Sequence, residues 1–227
     1  IFCNPGDTVV VELPTFVSGI NAMRIHGANV VGVEMDEEGM ELAGLERAFQ
    51  TEPNVKLLYV IPTFQNPSGK TMSLARRKAI YALCVKYGVM ILEDNPYGEL
   101  RFRGEDIPTF KSMDDEGIVI YNGSYSKVLS AGMRIGFVMA QKDVLQRLTV
   151  AKQFSDCHSN IFFQIVTDEW LRTADVDAHI AKIRKIYRER CDFMLKLLDE
   201  HMDKRVTYTR PDGGLFLWCT LPEGCDS

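Results

Sequence analysis

Between Ser124 and Gly136 the chain reads SYSKVLSAGMRIG, which sets Lys127 among hydroxyls and puts an arginine, Arg134, seven positions after it. A lysine traps a carbonyl as a Schiff base once part of its population is neutral, and nearby cations or a dry pocket bring that about. Ser124, Ser126 and Arg134 can supply such a setting. The same side chains suit a phosphate monoester, because arginine offers a planar fork of donors and serine a short, rotatable one. A carbonyl-trapping lysine beside a phosphate cradle is the pair of attachments that pyridoxal 5'-phosphate needs. A lone S-x-S-K match is more often a solvated loop, so the reading depends on what lies upstream.

Two further stretches lie upstream, each after a strand-like run: Asn66-Pro67-Ser68-Gly69 and Glu93-Asp94-Asn95-Pro96-Tyr97. Pyridoxal phosphate acts as an electron sink only when its pyridine nitrogen holds a proton, so a buried carboxylate must face that nitrogen. Neighbouring residues at a strand end point to opposite sides, so one of Glu93 and Asp94 faces a crevice and the other does not.

Taken in order, N-P-S-G, E-D-N-P-Y and S-x-S-K followed by R-x-G-F resemble the fold-type I pyridoxal-phosphate enzymes of the class I and II aminotransferase group. The branch around 2-aminoadipate aminotransferases is the nearest in pattern, with the aminotransferase-like domain of MocR-type regulators as kin. The resemblance runs along essentially the whole chain. It implies an exchange of an amino group between an amino acid and a 2-oxo acid, with glutamate and 2-oxoglutarate as the usual pair, in a homodimer. It assigns Lys127 the Schiff base and the proton shuttle, and selects Asp94 for the ring nitrogen. Asn66 and Tyr97 would donate to the cofactor's 3'-oxygen, and Ser124, Ser126 and Arg134 would hold the phosphate. Phe16 would stack on the ring, although an ordinary core phenylalanine fits the sequence as well, and Tyr97 has an alternative life packing on Tyr81 or Phe102. Phe64, Gln65 and Phe154 are candidates for the substrate pocket. Two other activities share these residues: the effector domain of a MocR-type regulator, and a lyase on the same scaffold. Many such regulators carry an aromatic where Asn66 stands here, which favours the enzyme.

The elements that must carry these residues alternate. Strand-like runs occur at 8–11, 30–35, 57–61, 89–92, 118–121 and 135–140, and helical patterns at 20–26, 41–50 and 74–87, the last with Ser73 as N-cap and Gly88 at its stop. Continuous apolar runs such as Leu57-Leu58-Tyr59-Val60-Ile61 suit strands buried on both faces of a parallel sheet. The pattern predicts an α/β fold, a mostly parallel open sheet flanked by helices, which in the resembling family is the large domain. Ligands of such sheets sit beyond the carboxyl ends of the strands, where Asn66, Asp94 and Lys127 all fall. A large domain over 1–175, a long interdomain helix over 176–202 and the beginning of a small α+β domain over 203–227, with strands at 206–208 and 215–219, complete the expected organisation.

Composition bounds the rest. The 227 residues carry a net charge of -5 with both signs interleaved, which argues against nucleic acid as a partner of this segment. Six scattered cysteines without a C-x-x-C pair, and four histidines without ligand spacing, point to a reduced, cytoplasmic protein with no metal site. No apolar run reaches the roughly 18 residues of a membrane span. The chain opens on Ile1 and closes on Cys225-Asp226-Ser227, which reads as a piece of a longer enzyme that would be inactive alone.

Overall fold

Among residues 1–225, which the computed structural model describes, seven strands join in the order β3-β2-β1-β4-β5-β6-β7. They are β1 (Thr8–Leu13), β2 (Asn29–Asp36), β3 (Gly39–Met40), β4 (Val55–Val60), β5 (Met90–Asp94), β6 (Val119–Ser124) and β7 (Gly136–Met139). The five from β2 to β6 run parallel, and β3 and β7 close the two edges antiparallel. The chain leaves β1 for β2 on one side and returns to β4 on the other, so strand order reverses between β1 and β4. Such a switch point opens a crevice at the carboxyl ends of the strands.

Alternation along the strands separates two cores. Val10, Leu58, Val60 and Ile91 face Leu45 and Phe49 of α2 (Leu42–Thr51) and Ile80 and Cys84 of α3 (Leu74–Tyr87). Val9, Val11, Leu57 and Tyr59 face the other way, against Tyr97, Phe64 and Met23 of α1 (Val17–Ile25). Helices therefore cover both faces, as the continuous apolar runs require. The α3 bounds coincide with the sequence expectation because both ends are written into it. Ser73 Oγ accepts the Arg76 backbone N–H at 3.2 Å, and Gly88 takes the left-handed conformation, φ 67°, that ends the helix.

Three regions depart from expectation. The last edge strand β7 is antiparallel, and α4 (Lys142–Ser155) and α5 (Ile161–Thr173) follow where no helix was expected. Their apolar residues Val150, Phe154, Phe162 and Ile165 stay exposed, so no core-facing stripe marks these helices in the sequence. Beyond α6 (Val176–His201), the expected strand over 215–219 shrinks to β9 (Cys219–Thr220), which pairs with β8 (Thr207–Tyr208). The preceding residues dock elsewhere: Gly214 N–H donates to the Leu100 carbonyl at 3.1 Å, and Phe216 packs on Tyr97.

Candidate active site

Asp94 ends β5, the strand between β4 and β6, and receives one donor from each neighbour. Tyr59 Oη of β4 donates to its Oδ2 at 2.8 Å, and Asn122 Nδ2 of β6 donates to its Oδ1 at 2.8 Å. Burial pushes the carboxyl above its ordinary value, and these two donors oppose that shift. Among the described residues no ion pair reaches Asp94. Glu93 turns to the opposite face, as the strand geometry requires. Its two oxygens accept the backbone N–H groups of Phe110 and Lys111 at 2.9 and 2.8 Å, and burial raises its pKa as well.

Asn66 and Tyr97 meet at the end of β4, with Asn66 Nδ2 3.5 Å from Tyr97 Oη. Tyr97 is buried, and its ring packs edge-on against Phe216, centroids 5.4 Å apart, where the alternative packing reading names Tyr81 or Phe102. The amide thus donates to the phenol oxygen, which keeps its own O–H to give, while the phenol's ring is packed. Phe16 stands between β1 and α1, half-exposed, and with Tyr59 and Asp94 it lines a cavity of about 700 Å³. Next to it, buried Thr15 Oγ1 has no hydrogen-bond partner among the described residues.

The 124–134 segment folds as a turn beyond β6. Ser126 N–H donates to Ser124 Oγ at 3.1 Å, and Arg134 Nη1 donates to Ser126 Oγ at 3.4 Å and to the Ala131 carbonyl at 3.1 Å. Arg134 itself sits in the left-handed region, φ 58°, and stays exposed. Lys127 is half-buried in the same turn. The two serines and the arginine are thus linked in one chain of hydrogen bonds around the lysine. His179 of α6 fixes the turn from outside: its Nε2 lies 2.8 Å from the Val128 carbonyl, which only accepts, so Nε2 carries the proton.

Sequence reasoning missed the residues that hold these groups. Tyr59 hides inside a strand-like run, and Asn122 lies one residue past the run expected at 118–121, within β6. Arg77, fully buried in α3, donates to the carbonyls of Met72, Pro108 and Pro62 and to Thr63 Oγ1 at 2.8 to 3.1 Å, which fixes the loop leading to Asn66. Gln65, expected near the substrate, is instead an internal staple. Its Nε2 donates to the Pro14 carbonyl at 2.8 Å, and its Oε1 accepts from Ser68 N–H and Oγ at 2.9 and 2.7 Å. It thereby joins the loop of Phe16 to the loop of Asn66. Phe64 is likewise buried, under Gly213 and Gly214, and Phe154 is 88% exposed on α4, so none of the three expected pocket residues lines the cavity beside Asp94.

An open α/β sheet with a carboxylate, an amide, a phenol and a lysine-centred turn at its carboxyl edge defines a fold-type I cofactor enzyme scaffold. The chain belongs to the class I and II aminotransferase family, which its residues 1–224 match. It is 43% identical to aromatic-amino-acid aminotransferase 1 of Thermococcus litoralis over all of this chain and 55% of that protein. The crystal structure of Pyrococcus horikoshii kynurenine aminotransferase, in complex with PMP, KYN as substrates and KYA as products, superposes with a TM-score of 0.95 at 40% identity, over 99% of this chain and 57% of that one. An uncharacterized HTH-type transcriptional regulator of Bacillus subtilis is 34% identical over 94% of this chain and 44% of its own length. The chain thus spans about half the length of the relatives it matches.

Proposed function

We propose that the full-length protein is a pyridoxal-phosphate-dependent aminotransferase, moving an amino group between an amino acid and a 2-oxo acid. The observation that carries this reading is Asp94: a carboxylate half-buried at the centre of the sheet, held by two neutral donors and paired with no cation among the described residues. Burying an anion without a cation is costly, and a protonated pyridine ring is a planar cation that repays it. The donor set fits the rest of the group. Ser124, Ser126 and Arg134 can bind a phosphate, Asn66 and Tyr97 can donate to an anionic ring oxygen, and Phe16 can cover the ring.

When bound, the cofactor supplies a carbonyl for amine exchange and a sink for the electron pair left at the substrate carbon. The chain's own residues do the remaining work. Lys127 would hold the cofactor by its carbonyl carbon, and as a free amine it would move a proton to and from the substrate carbon. Asp94 keeps the proton on the ring nitrogen. Arg134 and the serines would anchor the phosphate and so fix the position of the ring. Residues 1–175 form the cofactor-binding domain, 176–202 the interdomain helix and 203–227 the start of a small domain in this reading. The full-length enzyme works as a homodimer in the cytoplasm; the exposed apolar side chains Ile161, Phe162 and Ile165 of α5 support a covered surface there, and the unpaired cysteines support a reducing compartment.

Product analysis with the full-length protein tests the reaction class. Given pyridoxal phosphate, glutamate and a panel of 2-oxo acids, the enzyme should release 2-oxoglutarate and the matching amino acid in equal amounts, and Lys127→Ala should release neither. Free ammonia or carbon dioxide in place of the new amino acid identifies a lyase instead. The similarity to the Bacillus subtilis regulator favours one further reading, an effector domain that holds cofactor and amino acid without turnover; DNA binding that responds to an amino acid, with no 2-oxo acid formed, would establish it.

A further inference from the structure

Asp94 is flanked in the sheet by one donor on each side, and that symmetry is built into the strand register. Asp94 pairs with Asn122 across β5 and β6, and Tyr59 of β4 pairs with Leu92, two residues before Asp94 on the same face of β5. Each donor takes one carboxylate oxygen at 2.8 Å. A carboxylate offers about four lone-pair positions. One position on each oxygen therefore remains for a group arriving in the cavity that Tyr59, Phe16 and Asp94 line. The titratable side chains that bear on Asp94 are Tyr59, Tyr97, Tyr121 and Glu12, all acids; His26 and the Ile1 amino terminus line the same cavity, but among the described residues no ion pair stabilises its charge. The two hydrogen bonds carry that burden.

We infer that Tyr59 and Asn122 are positioning residues that hold the Asp94 carboxylate as an anion in one orientation and thereby keep the cofactor's ring nitrogen protonated. This rests on the aminotransferase reading above. Gly19 is the third part of the device. It faces the Tyr59 ring from α1, and a Cβ there would lie 3.1 to 3.3 Å from the ring edge and hydroxyl, so its missing side chain is what lets the helix close over Tyr59 without displacing Oη.

The test uses the full-length holoenzyme and two readouts: the dissociation constant for pyridoxal phosphate, and the pH midpoint of its visible absorption band. Tyr59→Phe and Asn122→Leu each remove one donor at little change in shape. Each should weaken cofactor binding by about 10- to 150-fold, the worth of one hydrogen bond to a charged group. Each should also raise the band's pH midpoint, because a ring nitrogen that has lost its proton no longer opposes protonation of the lysine-bound nitrogen. Gly19→Ala, which leaves both donors present, should move both readouts in the same direction by less, and it serves if either donor variant fails to fold. Weaker binding with an unmoved midpoint would reduce the pair to ordinary packing and overturn the inference; so would no change in either. Absence of any visible band in the wild-type protein would instead overturn the aminotransferase reading itself.

Discussion

Arg134 occupies a left-handed backbone position at φ 58° and reaches back to Ser126, so its guanidinium is presented to the turn around Lys127 by geometry that an unpartnered surface arginine would have no reason to adopt. In the proposed function it anchors the phosphate, a role that would bear on cofactor retention more than on chemistry at cofactor already bound. Arg134→Ala should therefore raise the pyridoxal-phosphate dissociation constant by about 10- to 100-fold, the worth of a charge-assisted contact. Turnover at saturating cofactor should change far less, as cofactor titration of initial rates would read. A fall in turnover that saturating cofactor does not restore would place Arg134 in the chemistry. At this scale the sequence exposes residues whose neighbours are unusual for a strand or helix: Lys127 between hydroxyls, Asp94 before Asn-Pro, Asn66 before Pro. Tyr59 stays hidden because tyrosine in Leu-Leu-Tyr-Val-Ile reads as strand filler. The one available signal was Asn122, a polar side chain in an otherwise apolar strand, two residues before Ser124.

Among the elements, β4 and α3 set the floor of the crevice. Leu58 of β4 is 0% exposed between α2 and α3, and Leu58→Ala should cost about 2 to 5 kcal/mol in chemical denaturation, the range for a buried leucine whose cavity relaxes only in part. Ser73→Ala removes the N-cap of α3 and should cost about 1 kcal/mol by the same measurement. An α3 cap that cost nothing would mean the helix is held by Arg77 and the core alone. Legibility followed burial here. Strands packed on both faces and a helix with explicit caps read correctly, whereas α4 and α5 present much of their apolar surface to solvent and escaped notice. The run 215–218 failed as a strand for a different reason. Phe216 and the two glycines before it are used to dock on Tyr97, Phe64 and Leu100, contacts distant in sequence that no local pattern announces.

Across the whole molecule, Glu12 couples the fold to pH. It is 1% exposed at the end of β1, accepts from Ile61 N–H at 3.0 Å and Gln65 Nε2 at 3.3 Å, and burial raises its pKa from 4.5 to about 8. A carboxyl whose folded pKa exceeds its unfolded one favours the fold fully below about pH 4.5, where both states are protonated. That advantage drains away as pH rises towards 8, by an amount on the order of 4 kcal/mol. Denaturation midpoints of the cofactor-free protein between pH 5 and pH 9 should fall for the wild type and flatten for Glu12→Gln. Because Glu12 holds Gln65, which joins the loops of Phe16 and Asn66, the same substitution tests whether the two sides of the crevice share one support.

The functional expectations turn on Lys127 binding a cofactor that an amino acid can discharge. The direct measurement is the visible absorption spectrum of the full-length protein with pyridoxal phosphate, before and after glutamate, with Lys127→Ala alongside. The account predicts a band that requires Lys127 and that glutamate converts to the pyridoxamine form. A band that no amino acid discharges would contradict the enzyme, and a Lys127→Ala protein with the wild-type spectrum would contradict the site.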